Sequence, residues 1–183
     1  WSSGLAEVVK HALINDESFF AWIEAEMRQI VARDPRVVPD LIYRAASIKA
    51  VVVSEDELEH GKRALLNFGH TFGHALEKTF GYGVFTHGEA VILGMKAALF
   101  MSRRFNRKLE HTRAQAMLSQ LFSPQIPSSI GIPDIRMAMS TDKKKVSERN
   151  HFVLLRQIGE AYTTDDVTVS DIDAAISFAL GRP

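Results

Sequence analysis

The patterning of this chain predicts a mainly α-helical fold of several helices, with one small β-hairpin near its end. Three observations carry the prediction. Through roughly the first two thirds, apolar residues recur at spacings of three and four, the period of one buried helix face. Helix start and stop signals separate those stretches. Beyond them prolines interrupt the pattern, and two short runs, His151 to Leu155 and Glu160 to Thr164, flank Gly159 as strands flank a hairpin turn.

The elements follow in order. Ser2 and Ser3 precede Leu5, Val8, Val9, Ala12 and Leu13, a helix that ends near Asn15. Asp16 is placed to cap a second helix, whose Phe19, Phe20, Ile23, Met27 and Ile30 share one face. Asp34-Pro35 is expected to open a third, because proline suits the first helical turn; its apolar positions are Val38, Leu41, Ile42, Ala45, Ile48 and Val52. Ser54 to Glu59 reads as an acidic connection ending at Gly61. A fourth helix is expected from about Arg63 to Phe80, stopped by Gly81-Tyr82-Gly83. Glu89 to Arg104 is the fifth, with Val91, Ile92, Met95 and Leu99 on one face, and Lys108 to Leu121 the sixth. After Pro124, Pro127 and Pro133, a short helix around Ile135 to Met139 leads into the charged run Asp142-Lys143-Lys144-Lys145. Ser170 is read as the cap of a final helix bearing Ile172, Ala175 and Ile176. There is no internal repeat, and residues 1–183 are expected to form one domain.

Composition narrows the function classes. The 183 residues carry 22 Lys+Arg and 22 Asp+Glu, a net charge of zero, whereas a general nucleic-acid binder shows a basic surplus. No apolar run approaches the roughly 20 residues of a membrane-spanning helix. Neither nucleic acid nor a bilayer is therefore an expected partner. No signal-peptide pattern opens the chain, so a cytoplasmic setting is expected. Without cysteine there is no disulfide framework and no thiolate metal site; any metal must rest on histidine and carboxylate. The chain opens at Trp1, and is expected to be a piece of a longer polypeptide.

The fourth predicted helix carries the most chemistry. At about 100° per residue, Leu65, Phe68, Phe72, Leu76 and Phe80 fall on one side and Arg63, Asn67, His70 and His74 on nearly the opposite side. A solvated stripe normally shows Lys, Glu and Gln; this one holds residues suited to fixed hydrogen bonds or a metal. His70 and His74, four apart, can converge on one ion. They can equally cap neighbours or lie in solvent, and the spacing alone leaves both readings open. His87, in Thr86-His87-Gly88-Glu89 after the glycine turn, is a third candidate ligand. Three protein ligands with one open position is the catalytic zinc pattern. Gly69 and Gly73 read as a close helix–helix contact, and no Rossmann glycine fingerprint occurs.

Several blocks, in order and spacing, resemble 3-dehydroquinate synthase: Ser3-Gly4-Leu5-Ala6-Glu7-Val8-Val9-Lys10; Ile48-Lys49-Ala50; Asp56-Glu57-Leu58-Glu59 with Gly61 and Arg63; Asn67-Phe68-Gly69-His70-Thr71-Phe72-Gly73-His74; His87-Gly88-Glu89-Ala90; and Asp142-Lys143-Lys144. Matches are dense from Gly4 to Gly94 and sparser from Lys108 onward. The resemblance implies the multi-helix C-terminal domain of that fold, with the family's N-terminal α/β NAD-binding half not among these residues. It implies an NAD- and metal-dependent lyase that cyclises a seven-carbon phosphorylated sugar acid (DAHP) to 3-dehydroquinate and phosphate in the shikimate pathway. Zinc or cobalt, NAD and a homodimer are the implied cofactors and assembly. This half alone is expected to be inactive, with its NAD-contacting residues unknown.

Residue by residue, the resemblance puts the metal on Glu7, His70 and His87. It turns His74 toward the substrate, in place of the His70–His74 pair that spacing suggests. Lys10 and Lys49 take catalytic parts beside it. Arg63 is placed near the substrate carboxylate, and Asn67 with Lys143 or Lys144 near the phosphate. Alone, each of these lysines reads as an ordinary solvated side chain. Three rivals are weighed: another sugar-phosphate cyclase (2-deoxy-scyllo-inosose or valiolone synthase type), a metal-dependent alcohol dehydrogenase, and a non-catalytic helical module with a decayed site. Arg63 and Lys49 favour the 3-dehydroquinate synthase reading over these, since a substrate carboxylate gives them a purpose.

Overall fold

Eight α-helices, a short 3-10 helix and one antiparallel hairpin make up the fold among the described residues, 1–56, 61–81, 83–106, 111–124, 126, 130–141 and 151–182 of a computed structural model. The helices are α1 (Ser2–Asn15), α2 (Glu17–Val31), α3 (Val38–Glu55), α4 (His70–Phe80), α5 (His87–Phe105), α6 (Thr112–Leu121), α7 (Ile132–Thr141) and α8 (Val169–Ala179). The 3-10 helix covers Lys62–Asn67, and the strands are β1 (Phe152–Gln157) and β2 (Glu160–Thr164).

The central helix is α5, buried over most of its length and packed against α4, α1, α8, α6 and β1. Two apolar clusters lie on its two sides. One gathers α1, α2, α3 and α6 around residues such as Leu13, Phe20, Ile23 and Leu118. The other gathers α4, α7 and α8 around Phe72, Leu76, Ile135 and Ile176. Strand β1 serves both, because successive strand side chains point to opposite faces. Val153 and Leu155 enter the first cluster; Phe152 and Leu154 enter the second. Buried Ser102 on α5 holds the strand in place, its hydroxyl donating to the Ala98 carbonyl and accepting from Leu155 N at 2.9 Å.

The predicted hairpin is present, with Gly159 at its turn in the left-handed region (φ 86). Gly159 N donates to the Leu13 carbonyl, and a Cβ there would come within 2.5 Å of Glu17 N. Asp16 caps α2 as expected, accepting from Phe19 N.

Four expectations about boundaries are corrected. The third helix opens at Val38 with Pro39 in its first turn, not at Asp34-Pro35, because the Asp34 carboxylate is held by Arg36 in a two-pronged ion pair. The continuous helix from Arg63 to Phe80 is instead a 3-10 turn and α4, broken at Gly69 (φ 81). Helix α5 begins earlier than Glu89, because Thr86 and Glu89 form a reciprocal capping box. A second such box, Thr168 with Asp171, opens α8 in place of a Ser170 cap. Lys108 and the run Asp142 to Lys145 lie outside the described residues.

Gly94 of α5 faces the break at Gly69: a Cβ on Gly94 would sit 1.9 Å from the Gly69 carbonyl oxygen and 2.8 Å from Gly73 N. The two helices thus cross backbone to backbone. Gly94→Ala is expected to lower the unfolding free energy by roughly 2–3 kcal/mol, the upper part of the overpacking range. Urea unfolding checks it, and a midpoint equal to wild type would remove the close-crossing account.

Candidate metal centre

Three helices deliver the polar residues to one place. Glu7, Lys10 and His11 stand on α1, His70, His74 and Glu77 on α4, and His87 is the first residue of α5. The backbone explains the meeting. The Gly69 turn starts α4 at His70, and the capping box starts α5 at His87. Gly88 lies so close to α1 that a Cβ would fall 2.2 Å from Ser3 Cα, which brings the Glu7 helix against the His87 turn.

One ligand atom from each of Glu7, His70 and His87 lies within 4.8 Å of the others. Glu7 Oε1 is 3.7 Å from His70 Nε2, and Lys10 Nζ donates to Glu7 Oε2 at 2.6 Å. His70 Nδ1 faces the Phe68 carbonyl at 3.4 Å. A carbonyl only accepts, and this contact is shorter than the one from Nε2 to Glu7, which favours the tautomer with the hydrogen on Nδ1 and the lone pair on Nε2. His74, Glu77 and His87 satisfy the same spacing as a second group. The ring centroids are 5.4 Å apart for His70–His74, 5.4 Å for His70–His87 and 6.0 Å for His74–His87. His70 and His74, the pair that spacing suggested, are neighbours, while the two groups with metal spacing each contain His87 and only one of that pair.

Charge in the cluster is tightly balanced. Burial pushes the Glu7 carboxyl up, but the charge and hydrogen bond of Lys10, with His70 and His11 behind, outweigh it and hold Glu7 below the usual carboxylate range. Burial holds Lys10 below an ordinary ammonium; Glu7 opposes this and the Lys49 charge adds to it. Burial, then Lys10, brings His70 down to about 4, so it is neutral at pH 7. His11 is likewise brought to about 4, by burial first and then Lys10.

This donor set fits a divalent cation. Glu7 Oε1 is buried and has no hydrogen-bond partner among the described residues, yet it faces the lone pair of a neutral imidazole. Two acceptors pointed at each other in a sheltered place are satisfied by a positive ion between them.

The remaining predicted residues surround this group to different degrees. Lys49 is exposed on α3, near enough for its charge to act on Lys10 and His11. Arg63 is half-buried in the 3-10 helix, where its backbone N–H donates to Asp56 Oδ2 at 2.9 Å. Asn67 ends the 3-10 helix, exposed, just before the turn that leads to His70. Lys143 and Lys144 lie outside the described residues. The sequence reading passed over Glu77 and His11. Glu77 is three residues beyond His74, so helical spacing already placed it on the histidine face; His11, beside Lys10, carried no such signal.

Residues 4–145 match the family model described as 3-dehydroquinate synthase C-terminal. The chain belongs to the 3-dehydroquinate synthase family. It is 45% identical over 184 residues to a 3-dehydroquinate synthase of Salinibacter ruber, covering all of this chain and 50% of that protein. Identity to the Acidithiobacillus ferrooxidans 3-dehydroquinate synthase is 44%, over 90% of this chain and 46% of the relative. The chain thus spans about half the length of the curated relatives it matches. Among solved structures, 2-epi-5-epi-valiolone synthase from Streptomyces hygroscopicus, with NAD+ and Zn2+ bound, superposes with a TM-score of 0.85 at 27% identity, over all of this chain and 51% of that one. A 2-deoxy-scyllo-inosose synthase complexed with carbaglucose-6-phosphate, NAD+ and Co2+ gives 0.71 at 26% identity, over 96% of this chain and 50% of that one. The helical dehydroquinate synthase-like fold expected from the sequence is the one present. No helix among the described residues is long and apolar enough to cross a membrane.

The two neutral histidines set a pH dependence for the metal-free chain. Unfolded, His11 and His70 titrate near 6.5; folded, near 4. Between those values the unfolded chain binds more protons, so stability is complete above pH 6.5 and falls as pH drops toward 4. Each histidine contributes a slope of up to about 1.4 kcal/mol per pH unit. Urea midpoints between pH 7 and 4.5 measure it. His11→Leu is expected to flatten the curve, and an unchanged slope would count against a buried neutral His11.

Proposed function

We propose that this chain supplies the metal- and substrate-binding half of a 3-dehydroquinate synthase, the lyase that converts DAHP to 3-dehydroquinate and phosphate. The observation that carries the proposal is the family match over a segment in which Glu7, His70 and His87 meet beside the buried ammonium of Lys10. In this reading Glu7, His70 and His87 hold a zinc or cobalt ion. When bound, that ion supplies Lewis-acid chemistry, easing loss of the proton from the substrate hydroxyl to be oxidised by NAD.

The chain's own residues hold and steer the substrate. Lys10 lies against Glu7, so an anionic or hydroxyl-bearing ligand at the metal meets a positive charge that burial keeps from water. Lys49 adds a second positive charge on that side. Arg63 is proposed to take the carboxylate in a two-pronged bond, a geometry that lysine does not offer. Asn67, with Lys143 or Lys144, is proposed to hold the phosphate. His74 is exposed beside the metal group and can hold or move a proton near the phosphate oxygens. Fixing one substrate in one pose through oxidation, elimination and cyclisation is the larger part of what such residues contribute.

NAD, in this proposal, is bound mainly by an α/β half that lies outside these residues. A homodimer in the cytoplasm, with no nucleic-acid partner, completes the reading, supported by family membership. The related cyclases are a second reading because two of them superpose on this chain. Their 27% and 26% identity against 42–45% for 3-dehydroquinate synthases favours the first.

Metal analysis and turnover test the proposal. The purified chain is expected to bind one zinc or cobalt ion, with His70→Ala and Glu7→Gln each weakening it at least tenfold. The complete two-domain enzyme is expected to release phosphate from DAHP and not from glucose 6-phosphate, and this chain alone to release none. Turnover of glucose 6-phosphate in preference to DAHP would overturn the substrate, and a chain that binds no metal would overturn the centre.

A further inference from the structure

Glu77 stands on α4 one turn beyond His74, its side chain only 15% exposed. Its Oε1 lies 3.4 Å from Nδ1 of His87, whose own side chain is 48% exposed. A half-exposed imidazole at the first position of a helix has several rotamers open to it, and each one lost on binding a cation costs affinity. A carboxylate on Nδ1 removes that freedom. A hydrogen bond formed across this contact would fix the hydrogen on Nδ1 and leave the lone pair on Nε2, the one ring nitrogen then able to bind a metal.

We infer that Glu77 is a positioning residue, which holds the His87 ring in the tautomer and orientation that the metal centre requires. The inference rests on the metal-centre reading above and extends it. His70 and His87 are served differently. The Phe68 carbonyl faces Nδ1 of His70, whereas His87 meets a carboxylate, a stronger acceptor that also raises the basicity of the ligating nitrogen. Helix α4 therefore contributes one ligand directly and orients the other through Glu77, one helical turn past His74. The competing arrangement makes Glu77 itself a ligand, with His74 and His87, since that trio also satisfies metal spacing. A ring nitrogen that carries a hydrogen cannot bind an ion, so the protonation of His87 Nδ1 in the metal-loaded chain, together with stoichiometry, separates the two.

The test titrates Zn2+ and Co2+ into the chain and into its Glu77→Gln and Glu77→Ala variants. Calorimetry and the visible absorption of bound Co2+ are the readouts, and thermal melting in EDTA monitors the fold. The expected result is one ion per chain throughout. Affinity is expected to fall 10–100-fold in Glu77→Ala with an altered Co2+ spectrum. Glu77→Gln is expected to recover part of the loss, because its carbonyl still accepts from Nδ1–H. Wild-type affinity and spectrum in both folded variants would overturn the inference and leave the metal centre standing. Two ions in wild type, reduced to one in both variants, would also overturn it by making Glu77 a ligand. No ion bound by wild type would remove inference and centre together. Should Glu77→Ala not fold, nitrogen-15 shifts of His87 in the Zn2+-loaded wild type decide: a protonated Nδ1 and metal-bound Nε2 are expected, and the reverse contradicts Glu77's role.

Discussion

The crossing of α4 and α5 is the constraint on which the rest depends. At Gly94 the two backbones meet with no room for a side chain, and at Gly73 a Cβ would press to 3.1 Å from the Ala90 carbonyl oxygen. A contact of that kind admits little sliding or rotation, because any shift drives backbone atoms into one another. It fixes His70 and His74 relative to the first turn of α5, where His87 sits. A second approach of the same type, Gly88 against Ser3, ties α1 to that turn and so places Glu7. The candidate centre is thus assembled by backbone packing, while its side chains supply the chemistry.

Much of this was legible in the residues and some was not, for physical reasons. Apolar spacing identified the helices, and Asp16 and Gly159 did what their residue types suggest. The fourth helix failed as one piece, because a glycine read as a packing residue also adopts the left-handed conformation at Gly69 and turns the chain. A helical wheel drawn through Gly69 still placed Phe68, Phe72 and Leu76 in the core, since burial follows hydrophobicity whichever helix type bears it. The start of the third helix was misjudged for a related reason: Asp34 can cap a helix or pair with Arg36, and sequence does not say which wins. Grouping of the histidines needed tertiary information, because the packing of α1 and α5 decides which neighbours His70 meets.

The electrostatics of the site follow from that packing. Burying Lys10 beside Glu7 holds an ammonium where water would otherwise screen it, and the pair offsets part of the cost of burial for both. The same burial keeps His70 uncharged, the state in which an imidazole can donate a lone pair. Exposure rises from His70, at 14%, to His87, at 48%, so the cluster has a sheltered floor and an open mouth.

Two of the cations proposed to grip the substrate stand on other elements than the proposed metal ligands, while Lys10 shares α1 with Glu7. Lys49 belongs to α3 and Arg63 to the 3-10 helix, whereas the glycine-locked frame is α1, α4 and α5. A gene that alters the former leaves the latter untouched. Substrate preference can accordingly diverge by exchange of rim residues around an unchanged frame, a modular route that requires no rebuilding of the proposed ion's cradle.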